Sequence, residues 1–450
     1  MADFSTSGVL EKLRSEAQEI LAAALQAADP EVAVKRFLKI RGDQLTVMPD
    51  VHVDLSCFRR IFVVGAGKAS APMAKALEDI LGQRLTGGII SVKYGHQLPL
   101  KKIRVREAGH PIPDEAGVQA GRAMLALLES VQAHDLVFSC LSGGGSALLS
   151  VPAEGITLHD KQLVTQRLLA CGASIHEINA VRKHLSIVKG GGLMIAAYPA
   201  LVLNLMLSDV VGDAPDVIAS GPFSPDSSTF GTALEVLERY QLLDELPRCV
   251  VSHLERGAKG IIPETPKEDD RIFERVRHAV VGSNLLCLNA ARSAAEALGY
   301  RTLVLSSRME GDTEELARFH VALAHEIRNS GNPVPPPACL LSGGETTVAV
   351  KGSGKGGRNQ HFALCLVQGA SQIRDCVFLS VGTDGTDGPT EVAGAVVDTS
   401  SLHRAAARGL DPKQFLREYD SYHFFRVLGD LLITGPTRTN VMDVRVVLLA

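Results

Sequence analysis

The feature that most constrains this chain is an apolar strand that runs directly into a glycine turn and then a helix. Ile61-Phe62-Val63-Val64 is followed by Gly65-Ala66-Gly67-Lys68-Ala69-Ser70, a helical apolar pattern to Leu81, and a second strand at Gly88-Ile89-Ile90-Ser91-Val92. This is a β-α-β unit, and its repetition argues for a parallel sheet. A helix over 114–132, opened by Pro113 and Asp114, feeds the buried strand Asp135–Cys140, which ends at Ser142-Gly143-Gly144-Gly145-Ser146. Two helices follow, opened by Thr157 with Asp160 and by Ser174 with Glu177, each a hydroxyl cap with an acid three residues on. On the second, Ile178, Val181, Leu185 and Val188 form the apolar stripe, and Asn179, Arg182, Lys183 and Ser186 form a polar one suited to lining a cleft. The strand Leu201–Leu207 then ends in Ser208-Asp209-Val210-Val211-Gly212-Asp213.

A polar, charged stretch at 257–275 reads as a boundary, after which a second alternating series begins at Val280. The expected division is therefore 1–256 and 276–450. The chain opens with helical patterns at 7–28 and 31–40. Its 450 residues suit two large α/β domains, and 46% hydrophobic against 21% charged residues supplies sizeable cores and excludes disorder as the main state. The expected architecture is two open α/β sheets with a cleft between them. A net charge of −4 provides no basic field for a nucleic-acid backbone. The eight cysteines contain no C-x-x-C pair and read as reduced core thiols of a cytoplasmic protein. Asp3 and Glu11 stand where an export signal is basic and then apolar. The apolar run Leu193–Leu207 is interrupted by Tyr198, Pro199 and Asn204 and is too short to span a bilayer.

Several strand ends carry residues suited to chemistry. Gly65-Ala66-Gly67-Lys68 offers close backbone approach to an anion at a helix start, but it is neither a Walker A loop nor G-x-G-x-x-G, because Ser70 occupies the third glycine position. Read by itself it is more often a tight turn with a solvated lysine. Ser142–Ser146 suits an anion equally well as it suits a plain glycine turn, and no G-x-S-x-G nucleophile motif is present. Cys339-Leu340-Leu341-Ser342-Gly343-Gly344 partly echoes that first run. Asp209, Asp213, Glu345, Asp384 and Asp387 sit among small residues where carboxylates can converge on Mg²⁺, although Asp and Gly are also ordinary turn formers. Gly352–Gly357 with Lys355 and Arg358 reads as an anion-binding loop or a mobile one, and Asn440–Asp443 as a polar segment within a strand-like end. His110 reads as a structural histidine in a proline-rich turn.

Taken in order, VVGAGKAS, HPIPDEAG, LSGGGSALL, EINAVRKHLSIVKGGGL, LSDVVGD with VIASGP, GGE, GSGKGGRNQ, GTDGTDGPT and TNVMD resemble the glycerate 2-kinases, the MOFRL-type family, over nearly the whole chain. The resemblance implies an N-terminal Rossmann-like domain, a C-terminal MOFRL-containing domain and an active site in the cleft between them. It also implies transfer of phosphate from ATP, with Mg²⁺, to the C2 hydroxyl of D-glycerate. The family's cleft lysine and arginine fall on Lys68 and Arg358, which join Asp209 as the expected catalytic residues. Gly65, Gly67, Ser142, Gly143, Gly144, Gly145, Ser146, Gly343, Gly344 and Asn359 are the expected nucleotide-binding set. Asn179, Arg182 and Lys183 are expected at the acid, and Asp213, Glu345, Asp384 and Asp387 at Mg²⁺. The expected partners are D-glycerate and ATP, without nucleic acid or membrane, with a homodimer as the assembly.

Two rival readings have their own sequence signatures. A nicotinamide-dependent hydroxypyruvate reductase would share the first glycine turn, but the next strand ends at Val92-Lys93 instead of the acid that holds a ribose hydroxyl. A non-catalytic sensor of sugar acids or nucleotides would share the cleft, and ranks last.

Overall fold

The structure, a computed structural model, describes residues 8–450. Asp3 and the expected helix start at Ser7 lie outside the described residues. Residues Pro30–Val281 make one unit, and the first helix with Gly282–Ala450 makes the other.

The first unit begins with the helix Pro30–Phe37 and a meander of β1 (Leu38–Arg41), β2 (Gln44–Val47) and β3 (Val51–Asp54). The helix expected to reach residue 40 stops at Phe37 because Leu38–Arg41 pairs antiparallel with β2. Six further strands form one sheet: β4 (Arg60–Ala66), β5 (Gly87–Lys93), β6 (Ile103–Ala108), β7 (Asp135–Leu141), β8 (Leu201–Leu207) and β9 (Val276–Gly282). Their spatial order is β6-β5-β4-β7-β8-β9, and β4 to β8 run parallel to their neighbours. Counted along the chain, these strands stand in the order 3-2-1-4-5-6, which is the Rossmann order, and the winding reverses between β4 and β7. β7 is buried along its whole length, as an unbroken apolar strand between two layers must be. Phe62, Val64, Ile89, Val137, Val202 and Met206 belong to its core. The capping boxes of Thr157 with Asp160 and Ser174 with Glu177 both form.

Because β9 returns to this sheet, the polar stretch at 257–275 lies inside the unit, and the division falls at Val281–Gly282 instead of near 256. The opening helix Gly8–Ala28 also belongs with the other unit. It buries Leu10, Leu13, Ala17, Ile20 and Leu21, and Arg14 reaches the buried carboxylates of Asp398 (2.5 Å) and Asp430 (2.8 Å). Arg404 also pairs with Asp430 (2.6 Å), so removing residues 1–29 takes away one of two arginines and, mainly, the buried apolar face of the helix, at an expected cost of at least about 5 kcal/mol. Thermal melting of the truncated protein measures this, and a transition unchanged from the parent contradicts it.

The second unit's sheet contains β10 (Arg301–Met309), β11 (Ala338–Gly344), β12 (Cys376–Gly382), β13 (Gly394–Asp398), β14 (Leu431–Leu432) and β15 (Asp443–Leu449) in the order β10-β11-β15-β12-β13-β14. Only β10 and β11 are parallel. The C-terminal strand β15 inserts between β11 and β12, antiparallel to both. Asp443 thus lies beside Gly344 and Gly382, at the ends of two strands that carry the glycine and acid motifs. No described helix is long and apolar enough to cross a membrane. None of the eight cysteines is in a disulfide; Cys140, Cys287, Cys339 and Cys376 are buried, but Cys57, Cys171 and Cys249 are exposed and are not core thiols.

Candidate active site

Ligands of doubly wound sheets bind outside the carboxyl ends of the strands where the winding reverses. Here those ends are the turns after β4 and β7. The first turn does not cradle an anion with its amides as expected. The N–H of Gly67 donates to Ser91 O (3.1 Å), that of Lys68 to Gly143 O (2.9 Å), that of Ala69 to Ser142 Oγ (3.0 Å), and that of Ser70 to Gly67 O (3.3 Å). Gly65 and Gly67 instead let the two turns touch: a Cβ on Gly65 would overlap Cys140 O, and one on Gly67 would overlap Ser142 Oγ. Ser142 is buried and serves this contact. What the first turn leaves for chemistry is Lys68, half-buried and without an ion pair to any acid among the described residues.

The second turn differs. The N–H groups of Gly143, Gly144 and Ser146 donate to no backbone carbonyl among the described residues, whereas Gly145 N is taken by Ser142 O (3.1 Å). Gly144 has left-handed backbone (φ 81°) and packs under His110, so a side chain there would strike the ring. Asp209 lies against Gly143, where a Cβ would overlap its carboxylate. Burial, with Lys68, Lys93 and His96 nearby, lowers the His110 pKa to about 4, so the ring is neutral at pH 7. Lys68, Gly143–Ser146, Asp209 and His110 are thus brought together. Asp213, four residues past Asp209, has left-handed backbone (φ 59°), and its N–H donates to Val210 O (3.1 Å).

A cavity of about 250 Å³ opens beside this turn, lined in part by His110, Ser146, Lys161, Arg182 and Lys189. Of the three residues expected at the acid, only Arg182 lines it. Lys183 is buried in ion pairs with Asp226 (3.2 Å) and Asp216 (3.4 Å), on another side of the helix Ile175–His184. Asn179 is buried and accepts from Ser220 Oγ (2.9 Å), whose hydroxyl meets Ser146 Oγ (2.8 Å). It supports the turn through Ser220. Sequence reasoning missed Lys161 and Lys189. Lys189 stands in the quoted KGGGL run, whereas nothing around Lys161 marks it.

In the second unit, Glu345, Arg358, Asp384 and Asp387 line a cavity of about 550 Å³. Arg358 opens the helix Arg358–Ala370 and forks onto Asp443 (Nε to Oδ2 2.8 Å, Nη2 to Oδ1 3.0 Å), with Nη1 on Glu345 (2.6 Å). Burial lowers its pKa, but Asp443, Glu345 and Asp387 outweigh burial and raise it. Asp387 accepts from the backbone N–H groups of Asn359 (3.0 Å) and Gln360 (2.8 Å), satisfying the first turn of that helix. Burial pushes its pKa up to about 6 against those hydrogen bonds, with Asp443 adding to the rise.

Three residues expected at the nucleotide have packing roles here. Asn359 is buried and committed to Asp387, Asp443 and Ser380. Gly343 is glycine because Asn284, which bridges Val441 O and Asp443 O at 2.8 Å each, occupies the space of a Cβ. Gly344 (φ 123°) lies against the backbone of Met309. Among the described residues no group of three or more His, Cys, Asp or Glu is placed to hold an ion. Mg²⁺ usually takes one or two carboxylates and completes its shell with water and phosphate. Glu345 and Asp384, hard oxygen donors on one cavity, fit that requirement; the Asp384 carboxylate accepts from the N–H and hydroxyl of Thr386 (3.0 Å each) through one oxygen.

Residues 16–255 match a family model described as a domain of unknown function (DUF4147), and residues 338–443 match the MOFRL family. A glycerate 2-kinase of Pyrococcus horikoshii is 39% identical over 96% of this chain and 96% of its own length. The solved glycerate kinase of Thermotoga maritima superposes with a TM-score of 0.87 at 39% identity, covering 98% of this chain and 100% of that one. A relative from Agrobacterium vitis, 40% identical over 97% of this chain and 94% of its own length, carries the provisional name hydroxypyruvate reductase. The motifs run in family order, and the match extends over both units: the chain belongs to the glycerate 2-kinase family.

Proposed function

We propose that this protein transfers the γ-phosphoryl group of ATP to the C2 hydroxyl of D-glycerate, giving 2-phosphoglycerate and ADP. The observation that carries this reading is the Gly143–Ser146 turn at the winding reversal, where the N–H groups of Gly143, Gly144 and Ser146 have no backbone partner among the described residues, with Lys68, which has no ion pair among them, beside it. Phosphoryl transfer needs positioning and neutralisation of charge spreading over the phosphoryl oxygens. In this reading the amides of Gly143, Gly144 and Ser146 bind phosphate oxygens, and Lys68 neutralises the group in flight. Asp209 takes the proton of the C2 hydroxyl as its oxygen bonds to phosphorus and the bridging oxygen leaves with ADP. Arg358, fixed by Asp443, adds positive charge. Arg182 takes the acid's carboxylate, a role that Lys183, paired with two acids, does not share. Glu345 and Asp384 would hold Mg²⁺, which supplies charge neutralisation on phosphate oxygens when bound.

A coupled assay tests the reading. ADP is expected to appear only when ATP, Mg²⁺ and D-glycerate are all present, while NADH and hydroxypyruvate give no oxidation. NADH consumption without ADP release would establish the reductase. The strand end at Lys93 argues against that outcome, because it lacks the acid that a ribose needs.

A further inference from the structure

We propose that Lys161, Lys189 and Arg182 form a carboxylate subsite for the acceptor acid, and that Lys161 makes the protein select an acid over a neutral polyol. The identification of the acid as D-glycerate rests on the kinase reading above.

Lys161 is 5% exposed, lies on the helix Leu158–Ala170, and its Nζ is buried without a hydrogen-bond partner among the described residues. Lys189 is 2% exposed, and its Nζ donates to Ser146 O (2.7 Å) and Ser146 Oγ (2.9 Å). Arg182 has one weak contact, from Nε to Thr165 Oγ1 at 3.3 Å. All three line the cavity of about 250 Å³, and none forms an ion pair with a carboxylate among the described residues. The adjacent Lys183 shows the contrast, since there the fold supplies Asp216 and Asp226. Burying an ammonium without counter-charge costs several kcal/mol, so two buried lysines and a half-buried arginine that share one small cavity and no carboxylate call for an anion. Burial, with Arg182 adding to it, pulls the Lys161 pKa down to about 7, and burial also lowers those of Lys189 and Arg182. An entering carboxylate would reverse that effect.

The hydroxy acid follows from the neighbouring turn. The Lys189 ammonium bonds Ser146, whose own N–H is one of the amides proposed to hold phosphate. In a 2-hydroxy acid the reacting oxygen is two bonds from the carboxylate carbon. A carboxylate on these cations therefore directs that oxygen toward the turn.

Isothermal titration of the full chain tests this with D-glycerate, glycerol and orthophosphate as probes and ATP as a control. In Lys161→Met, and in Lys161→Gln made in parallel, D-glycerate binding is expected to weaken at least about tenfold, as for loss of a charged hydrogen bond, with ATP affinity within about twofold of the parent. Glycerol is expected not to bind. The Met variant should melt no lower than the parent, because an unpaired buried cation has been removed; a purely structural lysine would lower the melting temperature. D-glycerate affinity within twofold of the parent in a folded variant overturns the subsite, as does absence of D-glycerate binding to the parent. Loss of orthophosphate affinity with D-glycerate affinity intact also overturns it, marking a phosphoryl site. If D-glycerate binds in a Lys161-dependent way but no ADP forms, the subsite stands and the kinase reading falls.

Discussion

Lys68→Ala is expected to lower the rate of D-glycerate-dependent ADP release by about 10³-fold, the scale of removing a cation from a transferring phosphoryl group. The same variant should melt within about 2 °C of the parent, because an exposed or half-exposed side chain without a buried partner contributes little to stability. Lys68 has no ion pair among the described residues, and its backbone N–H, which does hold the two turns together, survives the substitution. Activity and stability should therefore separate cleanly. The KM for D-glycerate should move less than kcat, since the carboxylate is assigned to other cations. A rate within tenfold of the parent would remove Lys68 from the chemistry.

Arg358→Glu is expected to abolish turnover and to lower the melting temperature of the second unit by roughly 10 °C, from a loss of about 3–5 kcal/mol when a buried ion pair is broken. The new carboxylate would face Asp443, Glu345 and Asp387, all of which the guanidinium now neutralises. Asp443 is fully buried and would keep only Asn359 and Arg445. Stability and activity should fall together here, in contrast to Lys68. Lys at this position would restore the charge but not the fork, and should recover stability only in part. An unaffected rate and melting curve would exclude Arg358 from the site and from the network around it.

Much of the first unit was legible because each of its signals is local. An apolar strand, a glycine turn and a capped helix recur in order, and the turns after β4 and β7 carried Lys68 and Gly143–Ser146 to adjacent strand ends. The second sheet was less legible. Placing β15 between β11 and β12 requires pairing the chain's end with strands tens of residues earlier, and no local pattern encodes such pairing. The same limit hid the partnership of the helix Gly8–Ala28 with the second unit. At the site, glycine identified close approach but not its object: Gly143 faces Asp209, whereas Gly343 in the echoing run faces Asn284. The polar stripe on the helix Ile175–His184 placed Arg182 and Lys183 together, yet one turns to the cavity and the other to Asp226. Lys161 escaped notice because a lysine on a mixed helix is ordinarily solvated, and only tertiary packing buries it.

Product identity is the most direct test of the phosphoryl-transfer assignment. Phosphorus NMR of the full-length protein incubated with ATP, Mg²⁺ and D-glycerate should show a new phosphomonoester resonance split by the single proton on C2, rising in step with ADP. A resonance split by two protons would place the phosphate on C3, and a spectrum holding only ATP and its hydrolysis products would contradict the transfer altogether.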